Sequence, residues 1–181
     1  MGSLEGESPL IHVGRQAIYD RSGDVVAYEL LFRDAATATQ ASRRSAEATS
    51  RVIVAAFTDF GLAELVGDRV AFINITREFL VGELPVPFAS DQTVLEILET
   101  VEVDDAVIQG VEELVARGFT IALDDYRPGG RDRLLSYATY VKVDVLDTGV
   151  DMADVVQQCR EQNPHLRFIA ERLETEDQLH R

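Results

Sequence analysis

The sequence predicts an α/β fold built on a parallel sheet. Three observations predict it. From residue 69 onward, short and nearly continuous apolar runs alternate with segments of helical spacing. That is the pattern of strands buried on both faces and covered by crossover helices. Seven runs are strand-like, and the first two are spaced as a hairpin. Neither a G-x-G-x-x-G loop nor a Walker pattern follows the first strand, which favours a (β/α) barrel over a doubly wound open sheet.

The elements follow in order. Ile11 to Tyr19 and Val25 to Phe32 are strand-like, and Asp20-Arg21-Ser22-Gly23-Asp24 between them has the composition of a turn. Ser45 to Leu65 carries apolar residues at helical spacing and is followed by Gly67-Asp68. Within it Phe57 and Phe60 sit on an apolar face and read as core. Arg69 to Asn74 is a strand, and Thr76 opens a short helix. Thr93 to Leu98 is a strand, and Asp104 to Arg117 a helix stopped by Gly118. Thr120 to Leu123 and Tyr140 to Val145 are strands. Met152 to Gln162 is a helix closed by Asn163-Pro164, Arg167 to Ala170 a strand, and Thr175 opens a last helix. Residues 1 to 10 read as a flexible leader and residues 11 to 181 as one domain, without linker, repeat or low-complexity tract.

Charge narrows the function. Asp and Glu number 32 against 17 Lys and Arg, a formal charge of -15. Nucleic-acid polymers and anionic membranes need a basic surface, so the balance argues against both. No apolar run approaches ~18 residues, so no membrane span is predicted. A lone Cys159 cannot form an internal disulfide or a Cys-rich zinc site, and fits a reducing cytoplasm. His12, His165 and His180 are scattered and form no cluster.

The polar residues that end the strands carry more information. Glu29 lies near the end of the second strand, Asn74 ends the third, and Glu96 lies near the end of the fourth. Asp124-Asp125 end the fifth, Lys142 and Asp144 sit in the sixth, and Glu171 follows the seventh. In a parallel barrel such groups converge on one mouth, where the chemistry resides. Crowded carboxylates repel one another and call for positive charge. An oxygen-only donor set suits a hard cation, Mg²⁺ or Mn²⁺. Adjacent Asp124 and Asp125 suit two metals side by side, which points to phosphoryl chemistry. The bland alternative stays open: strand ends meet solvent, where carboxylates are simply hydrated.

Six segments then carry a resemblance. Glu29-Leu30-Leu31-Phe32-Arg33 is similar to an E-A-L-x-R motif, with Leu30 in place of Ala. Phe72-Ile73-Asn74-Ile75-Thr76 is similar to an asparagine motif, and Leu95-Glu96-Ile97-Leu98-Glu99 to E-x-T-E, with Leu98 in place of Thr. Ala122-Leu123-Asp124-Asp125-Tyr126 is similar to D-D-F, Val141-Lys142-Val143-Asp144 to K-x-D, and the segment from Ile169 to Thr175 to A-E-G-V-E-T. In this order they resemble the EAL domain of bacterial cyclic di-GMP phosphodiesterases, from about His12 to the C-terminus. The opening, from His12 to Asp20 and from Tyr28 to Arg33, also resembles proteins that pair an EAL domain with a C-terminal HDOD domain.

The resemblance implies an EAL-type (β/α) TIM-like barrel with an N-terminal β-hairpin, lacking the last strand-helix unit. It implies that Glu29, Asn74, Glu96 and Asp124 hold one metal, and that Asp125 shares Asp124 with a second. Lys142 would orient or help deprotonate the attacking water, and Glu171 would be the general base or a second-site ligand. Glu99 and Glu174 would support the loop after the fifth strand, and Gln16 and Arg33 would touch substrate phosphate or base. The implied reaction is Mg²⁺- or Mn²⁺-assisted hydrolysis of cyclic di-GMP to linear pGpG, in the cytoplasm. An HDOD domain is an implied partner in a longer natural chain.

Three departures from the family pattern accompany these matches. The D-D-F-G-T-G-Y-S loop reads Tyr126-Arg127-Pro128-Gly129-Gly130-Arg131, Arg172 stands where the family has Gly, and the Q-G motif has no counterpart. They favour, as the alternative, a catalytically degenerate EAL domain that senses cyclic di-GMP or docks a protein. A barrel open between its first and seventh strands has unpaired edges, which predicts a homodimer through that gap or a chain of poor stability.

Overall fold

The computed structural model describes residues 11–34, 61–146 and 151–172, in two compact units, Met1–Ala71 and Phe72–Arg181. Positions 45–60 of the expected second element and the helix expected from Thr175 lie outside the described residues.

In the first unit, β1 (Ile11–Tyr19) and β2 (Val25–Asp34) pair antiparallel as the turn composition predicts. Asp20 makes the turn: its Oδ1 accepts from the backbone N–H of Ser22 at 2.8 Å and of Asp24 at 3.0 Å. Such an Asx turn leaves the next residues free to reverse, and Gly23 takes φ 83° there. The register places Gln16 opposite Glu29, so both lie on one face of the hairpin. Arg15 lays its guanidinium over the Tyr28 ring at 4.9 Å and donates to the Leu65 carbonyl in α1 (Leu62–Val66) at 2.9 Å.

The second unit takes up β3 (Val70–Ile75) from Phe72 and continues with α2 (Arg77–Leu80), β4 (Thr93–Ile97) and α3 (Asp105–Ala116). Then come β5 (Thr120–Leu123), a 3₁₀ turn (Asp132–Leu134), β6 (Tyr140–Asp144), α4 (Met152–Gln162) and β7 (Arg167–Glu171). From β3 to β7 the strands lie side by side in chain order. The pairs β4–β5, β5–β6 and β6–β7 are parallel. Every residue of β4 is buried, which is why its Val94, Leu95 and Ile97 are not interleaved with exposed polar residues.

The helices are capped as their sequences direct. Asp104 Oδ1 accepts from the Val107 N–H at 2.9 Å and starts α3. Val107, Gly110, Val111 and Leu114 form its buried stripe, and each buried Val or Leu is worth ~1.5–3 kcal/mol against exposure. Gly110 is needed for close approach: a Cβ there would stand 1.7 Å from the Leu80 carbonyl oxygen of α2. Gly118, at φ 89°, reverses the chain after α3. Asp151 caps α4 by accepting from the Ala153 N–H at 2.8 Å.

Candidate functional site

The strand ends of the second unit place ionisable side chains together. Glu96 points from the fully buried β4 and is itself 0% exposed. A carboxylate there demands a counter-charge. Lys142 on β6, 2% exposed and the one lysine of the whole sequence, supplies it. Its Nζ lies 3.0 Å from Glu96 Oε1, 2.8 Å from Asp124 Oδ1 and 2.8 Å from Glu171 Oε1. Three carboxylates thus share one ammonium, a formal charge of -2 over the four groups. Only Glu96 and Lys142 are fully buried, while Asp124 and Glu171 keep 15% and 22% exposure.

The strand register explains the convergence. Leu123 is level with Val141, so Asp124, one step beyond β5, reaches Lys142. Asp144 is level with Glu171 at the ends of β6 and β7. The chain is also pinned where it leaves β5: the Asp124 N–H donates to the Ile97 carbonyl at 3.0 Å, and the Tyr126 N–H to the Lys142 carbonyl at 3.0 Å. Between them Asp125 adopts φ 40°, a left-handed conformation that Asp tolerates better than most residues. Burial pushes the Asp125 carboxyl above its ordinary range, and the charges of Asp124, Glu99 and Asp144 push the same way.

A cleft of about 800 Å³ opens beside this turn, with Glu99, Asp125, Arg127, Asp144 and Arg172 in its lining. Arg172, at φ 58°, pairs through Nη1 with Asp144 Oδ2 at 2.9 Å. It turns to Asp144, while its side chain stays 62% exposed. Asp144 Oδ1 also accepts from the Leu146 N–H at 2.8 Å.

The loop from Tyr126 to Arg131 is ordered by its own polar groups. Tyr126 donates its O–H to Asp132 Oδ1 at 2.6 Å, and the Gly129 N–H donates to the same oxygen at 2.7 Å. Arg131, buried at 9% exposure, donates to the carbonyls of Asp124 and Asp125, each at 2.7 Å, and of Ile97 at 3.3 Å. Nothing in the sequence pattern singles out Arg131, because its partners are backbone carbonyls on two other segments. The one available signal is an arginine directly after Gly129-Gly130, where the chain can fold back.

No family model matches the chain. It is 38% identical over 173 residues to the cyclic di-GMP phosphodiesterase CdgJ of Vibrio cholerae, covering 93% of this chain and 40% of that protein. It is 33% identical over 174 residues to the uncharacterized protein YuxH of Bacillus subtilis, covering 91% and 42%. The chain therefore spans less than half the length of the curated relatives it matches. The crystal structure of the Bacillus subtilis YkuI protein, with an EAL domain and in complex with cyclic di-GMP and calcium, superposes with a TM-score of 0.72. Sequence identity there is 19%, over 93% of this chain and 50% of that one.

The chain has the fold of the EAL domain family.

Of the residues assigned roles from the EAL resemblance, Glu96, Asp124, Lys142 and Glu171 come together in one ion-paired cluster. Asp125 and Glu99 line the cleft beside it. Asn74 lies on β3 of the same unit, and Glu29, buried on β2, faces the same way as Gln16 in the first. Arg33 is opposite His12 in the hairpin ladder, and Glu174 lies outside the described residues. No three His, Cys, Asp or Glu among the described residues are spaced as a ready metal cage. Glu96, Asp124 and Glu171 converge instead on the Lys142 ammonium. By chemistry this donor set, all oxygen and with excess negative charge, fits a hard divalent cation. No described helix is long and apolar enough to cross a membrane.

Proposed function

We propose that residues 11 to 181 form an EAL-type cyclic di-GMP domain that hydrolyses one phosphodiester of cyclic di-GMP, giving linear pGpG, with Mg²⁺ or Mn²⁺. The observation that carries this reading is the Lys142 ammonium held among Glu96, Asp124 and Glu171. The likeness to CdgJ supports the substrate class. Glu29, Asn74, Glu96, Asp124 and Asp125 would hold the cations. These supply positive charge to the phosphodiester and acidify water.

The chain's own residues do the rest. Lys142 orients the attacking water and holds its proton-bearing face toward the carboxylates. Glu171, 22% exposed and already in contact with Lys142, takes the proton as general base. Gln16 and Arg33 grip phosphate or base. Water adds across one P–O bond and the released ribose oxygen is protonated. The reading places the chain in the cytoplasm, acting as a homodimer, with an HDOD domain as a partner in a longer chain.

A second reading has its own observation. The loop from Tyr126 to Arg131, whose sequence departs from the family motif, is tied down by Asp132 and Arg131. This favours slow turnover, and at the limit a cyclic di-GMP sensor or protein-docking module. Incubation with cyclic di-GMP in Mg²⁺ and in Mn²⁺, then chromatography for pGpG and for retained nucleotide, separates the two. Metal-dependent pGpG that disappears in Glu29→Ala supports hydrolysis. Retained, unconverted nucleotide supports sensing.

A further inference from the structure

Arg131 pays the desolvation cost of a buried guanidinium, yet its hydrogen bonds go to three carbonyls. Nη1 takes the oxygens of Asp124 and Ile97, and Nη2 that of Asp125. The same guanidinium lies 5.8 Å from the centre of the Tyr126 ring, which limits its freedom on one side. Successive carbonyls of an extended strand point in opposite directions. Two successive carbonyls, those of Asp124 and Asp125, meet one guanidinium here because Asp125 leaves the extended conformation for φ 40°.

We propose that Arg131 is the positioning residue for the Asp124–Asp125 pair. Its planar fork fixes the turn from the backbone side, so that the Asp124 carboxylate meets Lys142 and the Asp125 carboxylate faces the cleft. The third bond, to Ile97, ties that turn to the end of β4, the strand that carries Glu96. Fork geometry is the operative property. A lysine keeps the charge but has one nitrogen, which cannot bridge the three oxygens in a fixed plane.

The proposal rests on the cation-site reading above, and its test separates the two. Mn²⁺ is titrated calorimetrically into the wild-type chain, Arg131→Lys and Arg131→Ala, with the fold of each checked by circular dichroism and a metal-free melt. The expected result is binding at least about tenfold weaker in both folded variants, the usual effect of losing a group that orients ligands. Guanidinium ion at non-denaturing concentration should restore binding to Arg131→Ala and leave Arg131→Lys unchanged. Folded variants that bind Mn²⁺ as the wild type does overturn the positioning role and leave the cation site standing. Wild-type protein that takes up no Mn²⁺ overturns both. Two variants that do not fold make Arg131 a folding residue, and the positioning role falls.

Discussion

Lys142 and Glu96 form an ion pair, 3.0 Å from Nζ to Oε1, with side chains 2% and 0% exposed. Neither charge has water to fall back on. Removing the cation leaves Glu96 buried beside Asp124 and Glu171, and breaking such a pair costs ~3–5 kcal/mol. Lys142→Met should lower the urea midpoint by a corresponding amount in metal-free buffer. Mn²⁺ should restore more stability to the variant than it adds to the wild type, since a cation can take over the lost charge. No gain from Mn²⁺ in either protein would show that no cation enters the cluster.

Burial also makes Lys142 a chemical reporter. Because it is the one lysine, an amine-reactive ester has two targets, its Nζ and the amino terminus. Peptide mapping of the native protein should find the terminus labelled and Lys142 protected. Both should react in urea. Labelling of native Lys142 at the rate of the terminus would contradict the buried cluster.

Much of this frame is legible in the sequence, and the reason is local. Thr120–Leu123 and Met152–Gln162 are bounded by signals within a few residues, Gly118 before the strand and Asn163-Pro164 after the helix, and their observed limits match. The order of polar residues at strand ends pointed to the Lys142 cluster because a parallel register keeps strand ends together. The partners of Arg131 and Arg172 were not legible. Arg131 reads backbone oxygens, which have no residue type, and Arg172 reaches Asp144 across two strand ends. The Asp132–Leu134 turn escaped because three residues are too few for a periodic pattern.

The left-handed Arg172 gives a prediction of small size. At φ 58° glycine is favoured over a residue with a Cβ. The pair with Asp144 is largely solvated on the arginine side, so it contributes little. Arg172→Gly should therefore change the unfolding free energy by less than about 1 kcal/mol. A loss well beyond that in chemical denaturation would mean that the arginine braces the ends of β6 and β7.

Gly110→Ala should behave oppositely. The added Cβ would overlap the Leu80 carbonyl oxygen, so α3 must move off α2 at a cost of ~1–3 kcal/mol. A thermal melt reads it, and an unchanged midpoint would contradict the close helix approach.

The loop carries a pH signature. Burial raises the Cys159 thiol above its ordinary 9.0. Burial, then the bond to Asp132, raises the Tyr126 phenol well above its ordinary 10.0. Below pH 8 folded and unfolded chains keep both protons, and these groups add no pH dependence. Above 9 the unfolded chain releases them first, so stability falls as pH rises, by up to ~1.4 kcal/mol per pH unit for each group. Urea melts between pH 8 and 10.5 should show the decline, and Cys159→Ala with Tyr126→Phe should flatten it. An equal decline in that double variant would place its origin elsewhere.

The most direct measurement is a time course of cyclic di-GMP conversion by the chain in Mn²⁺, with EDTA and Glu96→Gln as parallel arms. The account predicts pGpG in the Mn²⁺ arm alone. Absence of pGpG in that arm, with or without retained nucleotide, from protein whose melt shows it folded, would contradict it.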